Sequence, residues 1–269
     1  LGPDRLESTP GSASVERVDL HDDSVQFADE FLGTAAPGER IPETPVVSAT
    51  ILMSLAPIRL KEIEEQLSAL RTSLICAFNQ LLDLKDLNTG VHSTRLAEWA
   101  LHVGGEFRLD EQSLADLEVA ALLHDIGKIG IPDAILQKPA RLTEAEYDLM
   151  KKHPQYGWAV LRNVPGMERA SLLILHHHES YDGKGYPAGL KDEEIPIGSR
   201  IVSVIDAFDA MVSSRPYREG LPFEEAERRL LLASGTQFDP DVVHSFLPLA
   251  RAEMSSVFAA AGTSVSAAL

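Results

Sequence analysis

Only one cysteine, Cys76, occurs in the 269 residues, so no disulfide can form within the chain and no thiolates are positioned for a structural zinc site. The scarcity suits a reducing cytoplasm. Cys76 falls in a helical pattern and is expected in the core. Basic residues are also short: 24 Lys and Arg stand against 41 Asp and Glu, a formal net charge of -17. Affinity for long nucleic acid comes mainly from neutralising phosphates with Lys and Arg, so that class of partner is excluded. A small anionic ligand stays compatible if metal ions or a few arginines supply positive charge locally. No stretch approaches the ~18 apolar residues of a membrane span, and residues 1–30 are too acidic for a secretory signal. The chain opens on Leu1, as a fragment of a longer protein would. Strand alternation is almost absent and no internal repeat is present.

What the sequence does have is helical spacing, within a 44% apolar composition ample for a core. Residues 1–55 are acidic, with scattered Pro, Gly and Ser, and are unassigned. From Pro57 a long helix is expected, because Leu60, Ile63, Leu67, Leu70 and Leu74 alternate three and four residues apart. This helix, at 57–84, is either packed on the following domain or the stem of a homodimer. A turn at KDLNTG precedes a helix with His92 in its first turn and with Leu96, Trp99 and Ala100 on one face. The next helix, LADLEVAALLHD, is expected to stop at Gly127. Thr143 and Glu146 have capping-box spacing ahead of a helix expected to end at His153-Pro154. Helices through GWAVLRNV and ERASLLILHHH, a glycine loop, SRIVSVIDAFDAMVSS and two amphipathic helices complete an all-α reading.

Two stretches carry groups that no helix needs for its own stability, HDIGKIGIP at 124–132 and HHHESYDGKGYP at 176–187. His92, His124, His153, His177 and His178, with Asp125 and Asp206, form a ligand set suited to iron, manganese or zinc. A dinuclear site follows, since two ions need a bridging carboxylate or hydroxide and several terminal imidazoles. Asp125, beside His124, could bridge. His21, His102 and His244 are read as separate from this set.

His124-Asp125 with Gly127-Lys128, His153-Pro154, HHE at 177–179 with DGKGYP, and IDAFDAMVSSRPYR at 205–218 together resemble the HD-GYP branch of the HD metal-dependent phosphohydrolases. The resemblance covers roughly residues 70–250. It implies an HD-type helical bundle at 89–269, behind a connecting helix at 56–88. It implies a phosphodiesterase that linearises cyclic di-GMP to pGpG, or carries it on to GMP, with two divalent transition-metal ions, iron or manganese. Metal-ligand roles pass to His92, His124, Asp125, His153, His177, His178 and Asp206. Lys128 matches a lysine near the scissile phosphate, and Asp125 and Lys128 are the catalytic pair. Gly185, Tyr186 and Pro187 match the substrate loop, and Arg215 and Arg218 match positions facing the substrate phosphates. Guanidinium donors suit phosphate oxygens, and an aromatic ring can stack on a base. Asn88 stands where some members carry a third-metal glutamate, which favours two ions. His176, read as helical, is expected about 100° from His177 and outside the ligand set. Asp209 shares a helical face with Asp206 and is expected to orient a ligand histidine or Lys128. The competing readings are a cyclic-dinucleotide sensor with little turnover, a phosphodiesterase for another cyclic dinucleotide, and an interaction protein. The resemblance also makes a diguanylate cyclase or a sensor a candidate partner.

Overall fold

The computed structural model describes the backbone of residues 45–85, 90–214 and 219–266, and side chains within 57–253. The chain separates into two compact units, Leu1–Ile63 and Glu64–Leu269, and the fold below is that of the second. The described residues are helical, with a lone bridge between Ser234 and Phe238 in place of any strand. No described helix is long and apolar enough to cross a membrane.

Helix α1 spans Pro45–Lys85, so it starts before Pro57 and takes in part of the segment left unassigned. VVSATILMSLA holds good helix formers and no glycine, and a proline at the first position lacks only an N–H that would be unpaired there. Its last turns dock through Ile75, Phe78 and Leu82, which pack on the core. Cys76 is exposed, contrary to expectation. The docking stripe is set by Ile75, and the next residue points about 100° away. KDLNTG falls largely on residues outside those described.

Helix α2 (Gly90–Glu106) lies against α3 (Glu111–Leu123). Asp110 caps α3, its side chain accepting from the Ser113 amide at 2.7 Å. The helix ends at Leu123, before Gly127, and a 3-10 turn at Ile126–Gly130 follows. Short helices α4 (Asp133–Leu136) and α5 (Glu144–Met150) come next, α5 opened by the Thr143–Glu146 capping box. His153-Pro154 does not close that helix; it opens α6 (His153–Leu161), where proline is tolerated in the first turn. Helix α7 (Glu168–Leu175) stops before the histidine triplet. The central element is α8 (Ile197–Val212), against which α2, α3, α9 (Phe223–Ala233) and α10 (Pro240–Ser266) pack. Phe208 of α8 meets Trp99, Phe223 and Phe246 edge-on, with centroids 5.1–5.9 Å apart.

Gly127 is a close-approach residue and not a helix stop. A Cβ built there would lie 1.8 Å from the His153 carbonyl oxygen and 2.5 Å from the Gly157 amide nitrogen. Only glycine lets the 3-10 turn carrying Asp125 and Lys128 lie directly on α6. Because the obstacle is backbone, side-chain rotation cannot relieve it. Gly127→Ala is expected to lower stability by about 1–3 kcal/mol or more, read as a reduced midpoint in chemical denaturation. An unchanged midpoint would contradict the close packing of the two segments.

Candidate metal centre

Three of the buried imidazoles are held in the same way. Each Nδ1 lies against the carbonyl three residues earlier: His124 on Ala121 at 2.9 Å, His153 on Met150 at 2.9 Å, and His177 on Ile174 at 2.6 Å. A carbonyl only accepts, so Nδ1 carries a proton, and in the neutral ring Nε2 presents a lone pair inward. His153 Nε2 and His177 Nε2 face each other at 3.4 Å, an arrangement that a cation between them would relieve. His124 Nε2 is buried with no hydrogen-bond partner. These features, not the motif alone, fit a metal.

Two groups of ligand atoms result, each within 4.8 Å: His153, His177 and His178 in one, and His92, His124 and Asp206 in the other. Asp125 reaches both. Its Oδ1 is 3.5 Å from His153 Nε2, and its Oδ2 is 3.4 Å from His124 Nε2. Asp206 Oδ1 lies 3.6 Å from His124 Nε2 and 3.9 Å from His92 Nε2. Burial pushes His177 well below the usual imidazole range, His153 below it, and His178 down to about 4. That keeps the first group in the neutral form that binds metal. His124 goes the other way: burial opposes its charge, but Asp125 and Asp206 outweigh it and raise the pKa well above normal. A proton there occupies a place that a cation could take. Burial would raise Asp125 and Asp206, yet Lys128 and His124 hold Asp125 well below the usual carboxylate range, and His124 lowers Asp206 to about 2. Lys128 Nζ donates to Asp125 Oδ2 at 2.7 Å.

Behind the second group sits Asp209, whose side chain is fully buried. It accepts from His92 Nδ1, from Arg95 Nη2, and from the Ser213 hydroxyl at 3.0 Å. It therefore orients His92 and not Lys128. Arg95, missed in the sequence, also lies over the Trp99 ring at 5.1 Å, where its charge balances a carboxylate withdrawn from water.

Glu179 is the other missed residue. Its buried carboxylate accepts from the amides of Ala188, Gly189 and Leu190 at 2.7, 3.0 and 3.1 Å. It thus holds the loop that follows Tyr186-Pro187, whose peptide bond is cis. Gly185 permits the approach, since a Cβ there would lie 2.1 Å from the Ser180 amide. The Tyr186 ring stands beside His178, centroids 5.1 Å apart. An acid followed at once by a glycine-rich turn was the signal that could have found it.

The seven expected ligands are thus brought together, with Lys128 and Tyr186 beside them. His176 lies in a turn at the end of α7, not on the helix, and its Nδ1 is 3.4 Å from Glu179. His102 and His244 are exposed and apart. Asn88, Arg215, Arg218 and His21 lie outside the described residues.

The sequence pattern of the HD domain family matches residues 77–242. Among curated proteins, a cyclic di-GMP phosphodiesterase of Thermotoga maritima is 43% identical, over 67% of this chain and 49% of that protein. A cyclic di-GMP phosphodiesterase response regulator of Xanthomonas campestris is 41% identical, over 62% of this chain and 44% of its own length. The chain thus spans about half the length of these relatives. Among solved structures, a cyclic GMP-AMP specific phosphodiesterase of Vibrio cholerae shares the fold, with a TM-score of 0.52 and 23% identity over 66% of this chain and 48% of that one. The chain belongs to the HD domain family, and its His-Asp pair at 124–125 and Gly-Tyr-Pro loop at 185–187 are the HD-GYP signature within it.

Proposed function

We propose that the chain is a metal-dependent phosphodiesterase that hydrolyses cyclic di-GMP to linear pGpG, to GMP, or to both. The observation that carries this reading is the Asp125 carboxylate, reaching a three-histidine group on one side and a His-His-Asp group on the other. The names of the similar proteins support the substrate. In this reading residues 89–269 are the catalytic domain, 56–88 the connecting helix, and 1–55 stay unassigned. A cytoplasmic location and a functional partnership with a diguanylate cyclase or sensor accompany that substrate.

Two divalent ions, iron or manganese, would be held by His92, His124, His153, His177, His178 and Asp206 with Asp125 shared. Bound there, they would supply Lewis-acid stabilisation of the phosphoryl oxygens and activate a water for in-line attack. The chain's own groups do the rest. Asp209 fixes the His92 ring, and the backbone carbonyls fix the tautomers of three others. Lys128, now paired with Asp125, is placed to turn its ammonium to the scissile phosphate, where charge grows in the transition state. It can also protonate the leaving 3′ oxygen. Tyr186 offers a ring for a base, its phenol kept neutral because burial raises its pKa. Arg215 and Arg218 are assigned to the substrate phosphates.

Metal-loaded protein is expected to hold about two ions per chain by elemental analysis and to convert cyclic di-GMP to pGpG or GMP, resolved by chromatography. Stripping the metal should abolish turnover. A fully loaded protein that binds cyclic di-GMP and leaves it intact would support a sensor, and preferential cleavage of another cyclic dinucleotide would change the substrate.

Lys128→Ala is expected to lower kcat by about 10²–10³ with metal content unchanged. Wild-type single-turnover rates in the loaded variant would remove Lys128 from the chemistry.

Glu179→Gln replaces one acceptor oxygen with an amide nitrogen facing N–H groups. The loop bearing Tyr186 should loosen, raising KM about tenfold or more while kcat and metal content change less. An unchanged KM would leave Glu179 without a positioning role.

A further inference from the structure

Glu179 holds the loop of Tyr186 from within, at 188–190, and a second set of contacts holds both its ends. At the start, the Tyr181 and Asp182 amides donate to the Gln237 and Thr236 carbonyls at 3.1 and 2.8 Å, so the loop lies along the corner between α9 and α10. Further on, the Asp192 amide donates back to the Tyr181 carbonyl at 2.9 Å, which closes the loop on itself. At its end stands Arg200, in the first turn of α8. Its Nε donates to the Ile195 carbonyl at 3.0 Å and its Nη1 to Asp239 Oδ2 at 2.5 Å. We propose that Arg200 and Asp239 are positioning residues for substrate binding, tying the end of the Gly-Tyr-Pro loop to the corner that its start already touches. The role in substrate binding rests on the phosphodiesterase reading above.

Asp239 divides its oxygens between two tasks. While Oδ2 takes Arg200, Oδ1 accepts from the Asp241 amide at 2.8 Å and caps α10, whose first residue is Pro240. The two side chains are only 15% and 3% exposed. In such surroundings a charge-assisted hydrogen bond is strong, and removing one partner leaves the other charge uncompensated. The planar guanidinium reaches a carbonyl and a carboxylate at once, which a single ammonium on a flexible stem does not. The corner gives the loop a firm support. Its Gly235 amide donates to the Phe238 carbonyl at 2.8 Å, and the Phe238 ring is buried in the core. These side chains bond to the loop and to α10, not to a candidate metal ligand, so they act on Tyr186 through the loop. A loop fixed beforehand spares the ordering cost of binding, which places the effect on affinity.

Asp239→Asn tests the link with little risk to the fold, because asparagine caps a helix as well as aspartate does. It removes the charge that holds Arg200. The KM for cyclic di-GMP should rise about three- to tenfold, as should the dissociation constant from titration calorimetry, with kcat and metal content changed less. Backbone amides within 181–195 should exchange with deuterium faster, while those of α2 keep their wild-type rates. Arg200→Gln removes the other partner and should give the same pattern. A lowered melting temperature with KM, affinity and loop exchange all unchanged would make the pair purely structural and overturn the proposal. A metal-loaded wild type without turnover would overturn the phosphodiesterase reading instead. In that case weaker cyclic di-GMP binding by Asp239→Asn would still support the link, and unchanged binding would overturn it as well.

Discussion

The candidate site rests on a constraint that would be unfavourable by itself: buried imidazole nitrogens with lone pairs turned toward one another. His153 and His177 present theirs at 3.4 Å because each ring is already committed on its other side to a carbonyl three residues earlier. His124 is held by the same kind of carbonyl contact, with its Nε2 buried between Asp125 and Asp206. An orphaned buried acceptor destabilises a fold unless something binds it. The three rings come from the end of α3, the start of α6 and the end of α7. Helix termini suit this arrangement, since the carbonyls there lack helical partners and can fix a side chain. The same backbone groups that end or open the helices thus choose the tautomers.

Helix α8 carries the link between this site and stability. Phe208 faces the aromatic cluster, while Asp206 and Asp209 face the histidines. Asp209 is fully buried with Arg95 against it, and Arg95 lies on Trp99, which packs on Phe208. Removing Arg95 would leave a buried carboxylate short of charge balance and a core tryptophan partly uncovered. Core packing and ligand orientation are therefore not separable around α8.

The candidate ligand histidines and aspartates stood out in the sequence because no helix needs them for its own stability. Adjacent imidazoles and a His-Asp pair serve no helix, and the capping box at Thr143 was legible because its chemistry is local. Glu179 was not, because its partners are backbone amides at 188–190, and amides carry no residue signature. Arg95 and Asp209 meet across 114 residues of sequence, which no local pattern reports. The role of Gly127 was misread, because a glycine after a helix usually stops it, whereas the close passage of α6 is visible only in three dimensions. Cys76 was misplaced for a related reason. Helix α1 has two apolar stripes, and periodicity does not say which one meets the domain.

The junction of α1 with the domain gives that distinction a consequence. Lys85, the last residue of α1, donates from Nζ to the Ile129 carbonyl at 2.6 Å and lies 3.4 Å from Asp133 Oδ1. Its own carbonyl accepts from Gln137 Nε2 at 3.2 Å. Ile129 belongs to the same 3-10 turn as Lys128, and Gly127 seats that turn on α6 beside His153. A displacement of the helix end would draw on the Ile129 carbonyl, one residue from the lysine paired with Asp125. The docked stripe of α1 thus ties the helix to the segment that carries the proposed catalytic pair. Glycine at 127 leaves that segment little room to move independently of α6, so strain entering at Lys85 would fall on the Asp125–Lys128 turn.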